Sequence, residues 1–488
     1  MDLKKGLSDI VGARWINMED GVLEGYAKDE SFISARRPQC VVKPGTVREV
    51  QDIILWANRT KVPLIPVSSG QPHFRGDTIP RIGGVVVDME RMNTIIRINR
   101  KNRVAVIEPG VTFEQLMSAV GKEGMRLAMP LCPRSNKSVL ASVLEREPPL
   151  MPRHHWDISD PLCCMEVVFG SGDLFRTGEA SGPSELEAQW RIGGAQKFPL
   201  GPHQVDYHRL VQGAQGTMGI ATWASIKCEL RPPIKRAFFV TSQRIVDLFE
   251  FTYELLKQGY GDELFVINSM QLAALMKGKG SIAHVDEIAH ELPTWILVFC
   301  ISGGERFPEA QLEYLEIDIR NIAQGCGITP QNLVGTISSS DMLAVLDTCS
   351  RDSYWKCEAR GAFQDIFFLT TLDRSLPYIE AMYQTARCAG VPDTHIGVYI
   401  QPIVQGTSCH CEFTLYYNPK DEQEVARAKG LFHSASSRMI QEGAFFSRPY
   451  PAWAEEVYAR RAESASALRK VKSIFDPNHI MNPGKLCF

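Results

Sequence analysis

No Gly-x-Gly-x-x-Gly run and no Gly-x-x-x-x-Gly-Lys-Ser/Thr run occurs in the 488 residues. This excludes the two glycine-rich cradles that most often mark dinucleotide and triphosphate sites. No Cys-x-x-Cys pair is present, so the 13 cysteines suggest neither a zinc ribbon nor an iron–sulfur cluster. Their odd number and the length of the chain argue against a secreted disulfide scaffold. An excess of one charge is also missing. Lys and Arg number 53 against 56 Asp and Glu, a formal net charge of -3, which leaves no basic footprint for nucleic acid. The most apolar run, WILVFCI from Trp295 to Ile301, falls far short of the ~20 residues that span a bilayer. The start, MDLKKGLSDIVGARW, has no long apolar core and no small-residue cleavage site, so no signal peptide is expected. A cytoplasmic protein with mostly reduced thiols is the reading. Hydrophobic residues make up 44% and charged residues 22%, which excludes a disordered chain. At roughly 100–200 residues per domain, the length allows two to four domains.

The first half alternates strand and helix signals. In VKPGTVREVQDIILWANRTKVPLIPV, Thr46 and Glu49 make a capping-box pattern, which satisfies free N–H groups at a helix start. Val50, Ile53, Ile54 and Ala57 then recur at helical spacing. PLIPV, from Pro63 to Val67, reads as an edge strand because proline cannot donate to a ladder. GGVVVDM and RVAVIEPG read as buried strands, and Thr112 with Gln115 as a second helix start. CCMEVVFGSGDLFRTG reads as a hairpin. From about Pro232 to Gly443 longer helical patterns alternate with strands such as AFFVTS, which predicts a second α+β domain. The closing stretch from Ala452 reads as one helix stopped by Asp476-Pro477, then an extended tail.

The strand-like PLIPV runs into SSGQPHFRGDTIP, from Ser68 to Pro80. Ser68, Ser69, Gly70 and Gly76 allow close backbone approach, and successive N–H groups in such a turn form an anion nest. An ordinary Gly/Pro loop is the plain alternative. The neighbouring segments decide the matter. KPGTVREVQDII, PLIPVSSG, GGVVVDMERMNTI, AVIEPGVTFEQL, MEVVFGSGDLFRTG and GAQGTMGIATWASIKCELRP follow in that order, and FDPNHIMNPGKL closes the chain. This series resembles the FAD-binding domain of the vanillyl-alcohol oxidase / p-cresol methylhydroxylase family. The resemblance implies an α+β, two-domain FAD-binding fold of that type. Residues 1–232, completed by 444–488, would bind FAD, and residues 233–443 would form an α+β cap over the flavin. It also implies that Ser68, Ser69, Gly70 and Gln71 cradle the pyrophosphate. Glu108, Pro109 and Gly110 would line the same site, with Ser138 and Ile220 close to the cofactor.

One branch of the family oxidises para-substituted phenols, holding the phenolate with two tyrosines and an arginine, with an aspartate near the flavin. Laid on that pattern, RPYPAWAEEVY retains the arginine as Arg448. The two tyrosine positions fall at Ser447 and Arg75, and the aspartate position falls at His154. Two guanidinium groups near one flavin face would attract a carboxylate through forked hydrogen bonds. A nearby histidine would serve as general base near neutral pH. The plain alternatives are a contact to the FAD phosphates for Arg75, an ion pair for Arg448, and a surface or helix-end position for His154.

On a strand, His410, Glu412, Thr414 and Tyr416 share one face, and Cys409, Cys411, Phe413 and Leu415 the other. Three readings of this stretch stand. The resemblance places flavin-tethering positions at His395 and at His410–Cys411. A metal could use His395, His410 and Glu412, although no metal is expected. The histidines could also be structural. His73, in the pyrophosphate loop, is a further possible tether. Cys163 and Cys164 read as small core hydrophobes.

The reading is an FAD-dependent dehydrogenase or oxidase. It would pass a hydride from a small anionic substrate, a hydroxy acid or carboxylated aromatic alcohol, to flavin N5. The alternatives are oxidation of para-alkyl phenols, with Tyr399, Tyr416 or Tyr450 in place of the missing tyrosines, and a flavin-bearing subunit of a larger electron-transfer complex. A flavin-free binding protein is a third class. Oxygen, a cytochrome or an electron-transfer flavoprotein would take the electrons, and a homodimer or higher oligomer is expected.

Overall fold

The computed structural model describes residues 3–155, 159–182, 185–202, 204–277, 284–351 and 353–488. A first sheet has the order Ile16–Asn17, Cys40–Val42, Val85–Asp88, Leu64–Val67. The last three strands are parallel, and the helix Val47–Thr60 makes the crossover between the first and last of them. Thr46 caps it by accepting the Glu49 N–H at 3.1 Å. The Glu49 carboxylate takes the Gly45 N–H at 2.7 Å rather than that of Thr46. Val50, Ile53, Ile54 and Ala57 are all fully buried, as their spacing predicts. Each of the three branched side chains contributes roughly 1.5–3 kcal/mol, enough to fix the helix on this sheet.

Leu64–Val67 is the edge strand. Its free edge is covered by the end of the chain: Leu64 donates to Ile480 O at 2.8 Å, and Asn482 N–H donates back to Leu64 O at 2.8 Å. Lys485, 2% exposed, donates to Gly76 O at 2.6 Å and Ile79 O at 2.7 Å. The tail therefore holds the loop that follows Leu64–Val67. The chain reaches this tail through two helices, Pro451–Ala459 and Ala462–Phe475, where the sequence suggested one. Arg461, with ψ 54, breaks the helical run between them.

The second sheet is built on the long strand Gly219–Leu230, flanked by Val104–Ile107 and Leu162–Phe169. Leu162–Phe169 turns back as the expected hairpin with Leu174–Arg176. The helix Phe113–Lys122 starts with a full capping box from Thr112 and Gln115.

The third sheet is six-stranded and antiparallel, in the order Ile234–Ser242, Trp295–Gly303, Leu264–Asn268, Ile396–Ile403, Ser408–Tyr417, Ala362–Thr370. The face carrying Cys409, Cys411, Phe413 and Leu415 packs with Leu431 and Met439 of the helix Glu422–Gln441. Alternation along the strand turns His410, Glu412, Thr414 and Tyr416 the other way. Among the described residues no helix is long and apolar enough to cross a membrane.

Candidate active site

A cavity of about 240 Å³ opens between the loop after Leu64–Val67 and the third sheet. Ser68, Ser69, His73 and Arg75 come to it from the loop, and Ile220 from the second sheet. Asp365 and Phe367 face it from Ala362–Thr370, and Arg448, Tyr450 and Trp453 from the segment that starts the last helices. The loop is held in shape by side chains. Asp29 accepts the Gly76 N–H at 2.6 Å, at a glycine with φ +73. Gly70 N–H donates to Asn136 O at 3.0 Å. Arg134 donates to Gly70 O at 3.0 Å and Asn136 Nδ2 to Gln71 O at 2.8 Å. A Cβ at Gly70 would stand 3.0 Å from Asn136 Nδ2, so the loop lies tight on its neighbour. A second cavity of about 370 Å³, bordered by Gly70, Gln71, Tyr26 and Glu90, also touches Ser69. Ser69 lines both spaces, so the two cavities adjoin at this loop.

The other expected cofactor residues support this wall in different ways. Pro109 lines the cavity, and its carbonyl accepts the Ser138 hydroxyl at 2.5 Å. Ser138 also caps the helix Val139–Leu144. Glu108 and Gly110 stand behind the wall, bonded to Thr94 N at 2.7 Å and to Met92 O at 2.7 Å. Gln71 lines the second cavity and donates from Nε2 to Gly25 O at 2.9 Å.

The two arginines differ. Arg75 Nη1 is 3.1 Å from Glu145 Oε2 and Nη2 is 2.8 Å from Glu147 Oε1. Lys137 bridges the same two carboxylates at 2.8 Å each. Burial alone would raise the Glu147 carboxyl, but Lys137 and Arg75 override it and hold the group well below its ordinary range. Arg75 also donates to Tyr450 Oη at 3.0 Å. Arg448 is buried, with its guanidinium 4.3 Å over the Phe367 ring, and its Nη1 has no hydrogen-bond partner. Burial, then repulsion by Arg75, lowers its pKa to about 10, so it stays a cation at neutral pH.

The histidines are not where a shared base or metal site needs them. His154 does not line the cavity. Its Nε2 is 2.9 Å from Glu229 Oε1 and its Nδ1 is 3.6 Å from Asp160 Oδ2. Burial opposes its charge, but the two carboxylates outweigh burial and raise its pKa. His154, expected as the base, stands in a buried ion pair off the cavity, to which the end of Gly219–Leu230 carries Glu229. Cys411, an expected tethering position, is fully buried on the helix-facing side of its strand and does not line the cavity. His395 lies beside Arg360, Nε2 to Nη1 2.9 Å, away from the cavity. Gln401 pairs with His410 while Ile396 pairs with Leu415, which separates His395 from His410 by roughly 20 Å of strand. One metal ion cannot use both, and no group of three metal-ligating side chains occurs among the described residues. His410 sits behind Phe367, ring centroids 5.9 Å apart. His73 does reach the cavity, with Nε2 unpartnered. Burial, then Arg134, lowers its pKa to about 4, so its imidazole is neutral.

Three cavity residues escaped sequence reasoning. Asp365 accepts from Lys356 Nζ at 2.8 Å and from Thr414 Oγ1 at 2.8 Å. Lys356 is shared with Glu412 at 2.7 Å. Burial and then Glu412 raise the Asp365 pKa to about 6, against the pull of Lys356. The alternation of Phe363, Asp365 and Phe367 on one strand was the available signal. Arg134 and Tyr354 also line the cavity, and neither stands in a motif.

The site is a cavity beside a tightly held Ser/Gly loop, with an aromatic wall on its far side. Comparison with known proteins makes this specific. Residues 38–178 match the FAD binding domain family, and residues 454–486 match the C-terminal domain of FAD linked oxidases. The 4-cresol dehydrogenase [hydroxylating] flavoprotein subunit of Pseudomonas putida is 27% identical over 483 residues, covering 93% of this chain and 88% of that one. Glycolate oxidase subunit GlcD of Bacillus subtilis is 22% identical over 508 residues, covering 99% and 96%. The solved structure of p-cresol methylhydroxylase with substrate bound superposes with a TM-score of 0.81 at 18% identity, covering 99% of this chain and 96% of that one. The chain thus carries the FAD binding domain and the C-terminal domain of FAD linked oxidases, an FAD-dependent oxidoreductase, on the fold seen in p-cresol methylhydroxylase.

Proposed function

We propose that this enzyme oxidises a small aromatic alcohol that carries an anionic group, a carboxylate first. The single observation behind this is Arg448: a buried, unpartnered guanidinium beside an aromatic wall. A cation so placed favours an anion that can accept a forked pair of hydrogen bonds. Tyr450 supports the same end of the pocket. Its oxygen already accepts from Arg75, which leaves its O–H to donate. Phe367 and Trp453, 5.1 Å apart edge to face, suit an aromatic ring better than the smallest hydroxy acids.

Bound FAD supplies a two-electron acceptor that takes a hydride at N5. Ser68, Ser69, Gly70 and Gln71 would hold its pyrophosphate, and Arg134 adds a cation beside that loop. On the substrate side Arg448 orients the anionic group. Asp365, two residues from Phe367 on the same strand face, would accept the proton from the hydroxyl oxygen, while the carbon bearing that oxygen gives up a hydride. Its raised pKa makes it a better base near neutrality than an ordinary carboxylate. The product is the carbonyl compound, and Lys356 holds Asp365 in place. The division supporting this places FAD in 1–232 with 444–488 and the cap in 233–443, in line with the tail that pairs at Leu64. A reducing, cytoplasmic setting accords with thirteen free cysteines.

Oxidation of a para-alkyl phenol is the second reading. Arg448 with Tyr450 would hold the phenolate, replacing the tyrosines absent at Ser447 and Arg75. Anaerobic flavin bleaching with carboxylated aromatic alcohols, small hydroxy acids and para-alkyl phenols separates the two. Bleaching by para-alkyl phenols alone would overturn the carboxylate reading.

A further inference from the structure

Two side-chain amides on the cavity wall are turned so that their oxygens lack partners. Asn482 is 2% exposed and lines the cavity. Its Nδ2 donates to Asp77 O at 3.1 Å and to Gln215 O at 2.7 Å, which uses both N–H bonds. Reversing the amide would set its oxygen against two carbonyl oxygens, so its orientation is determined by the network. Oδ1 is left buried and unpartnered. Gln215 repeats the arrangement. Its Nε2 donates to Pro449 O at 3.0 Å, while Oε1 is buried and unpartnered. The backbone is committed too: Asn482 has φ 39 and Gln215 φ 52, left-handed conformations that non-glycine residues keep only where their surroundings enforce them. A buried acceptor without a donor is costly. Two such acceptors in one wall point to a ligand that brings donors.

We propose that Asn482 and Gln215 are cofactor-binding residues whose amide oxygens accept hydrogen bonds from the flavin end of FAD. This rests on the flavin reading. Oxidised flavin offers one ring N–H, at N3, and the ribityl hydroxyls beside it. The tail thus has a second task besides covering the Leu64–Val67 edge: it presents an acceptor to the cofactor.

The test is FAD affinity, read by flavin fluorescence as FAD is added back to protein stripped of it. Gln215→Met and Asn482→Leu each remove one acceptor, and each is expected to weaken binding roughly three- to tenfold. Gln215→Met keeps the side chain's length but also loses the donor to Pro449 O, so a fall in FAD affinity reports the acceptor only where fold and stability are unchanged. Circular dichroism and Tm of the stripped variants check this. Repeating the titration with 3-methyl-FAD, which lacks the N3 donor, assigns the partner. If wild type loses the same factor with 3-methyl-FAD and Gln215→Met or Asn482→Leu adds nothing further, that oxygen takes N3–H. If wild type binds both cofactors alike and the variants still weaken, the ribityl hydroxyls are the donors. Either result supports the proposal. FAD bound equally by wild type and both variants overturns it, and failure of wild type to bind FAD would instead overturn the flavin assignment.

Discussion

Replacing Arg448 by Met tests the pocket most directly. Met keeps the arginine's apolar stem and removes the guanidinium, with its charge, its donors and its contact over Phe367. Each hydrogen bond from a charged donor contributes roughly 1.5–3 kcal/mol. A forked pair to a carboxylate, discounted for some rearrangement of substrate, is then about 3–4 kcal/mol. That corresponds to roughly a 10²- to 10³-fold loss in kcat/KM for an anionic substrate. For the methyl ester of the same substrate the loss should be less than about tenfold, because the neutral group never used the charge. Stability should move the other way. An unpartnered buried cation is a cost to the fold, partly offset by its contact with Phe367, about 0.5–2 kcal/mol. Arg448→Met should therefore have an unchanged or higher Tm. Stopped-flow flavin reduction on acid and ester, with thermal unfolding of the same preparations, gives all three quantities. Equal losses on acid and ester, or a Tm lowered by several degrees, would show that Arg448 is a structural ion-pair partner and refute the anion pocket.

Asp365→Asn should lower the rate of flavin reduction by roughly 10²- to 10⁴-fold. In the wild type that rate should rise with pH through about 6, as the carboxyl loses its proton, and this limb should vanish in the variant. For His154 the pKa is raised on folding, so its stabilising contribution is complete below pH ~6.5. It is lost as pH rises through the folded value. His154→Gln should flatten that decline in Tm while leaving flavin reduction within about threefold of wild type; a loss as large as that of Asp365→Asn would restore His154 as the base. Cys411→Ala should leave the division of yellow colour between acid pellet and supernatant unchanged, since the thiol faces the helices and not the cavity.

Much of the fold was legible because its signals are local. Thr46, Thr112 and the Val50–Ala57 spacing each fall within one or two turns; the structure realises the Thr112 box and the spacing in full, and Thr46 as a cap whose Glu49 bonds Gly45 instead. The loop from Ser68 to Gly76 was legible as an ordered series of motifs. The catalytic side was not. His154 and Arg75 were found by alignment position, which carries no information about partners far along the chain. Glu229 lies 75 residues from His154 and claims its ring. Glu145 and Glu147 lie about 70 residues from Arg75 and claim its guanidinium. Asp365 was missed for the converse reason: nothing in AFQDIFFLT marks the aspartate except that it shares a face with two phenylalanines.

Partners decide which charges remain for chemistry. Around the cavity Arg75 and Lys137 are closed by Glu145 and Glu147, and Asp365 and Glu412 by Lys356. Among the described residues, two guanidinium groups on the wall make no ion pair. Arg134 donates to the carbonyl of Gly70 and the amide oxygen of Asn136, beside the loop assigned to the pyrophosphate. Arg448 lies at the aromatic end. Two uncompensated cations in two places call for two anions, one on the cofactor and one on the substrate. A neutral substrate would leave Arg448 charged and unpaired beside Phe367, whereas an anionic one gives it the partner that Arg75 and Lys137 already have in Glu145 and Glu147.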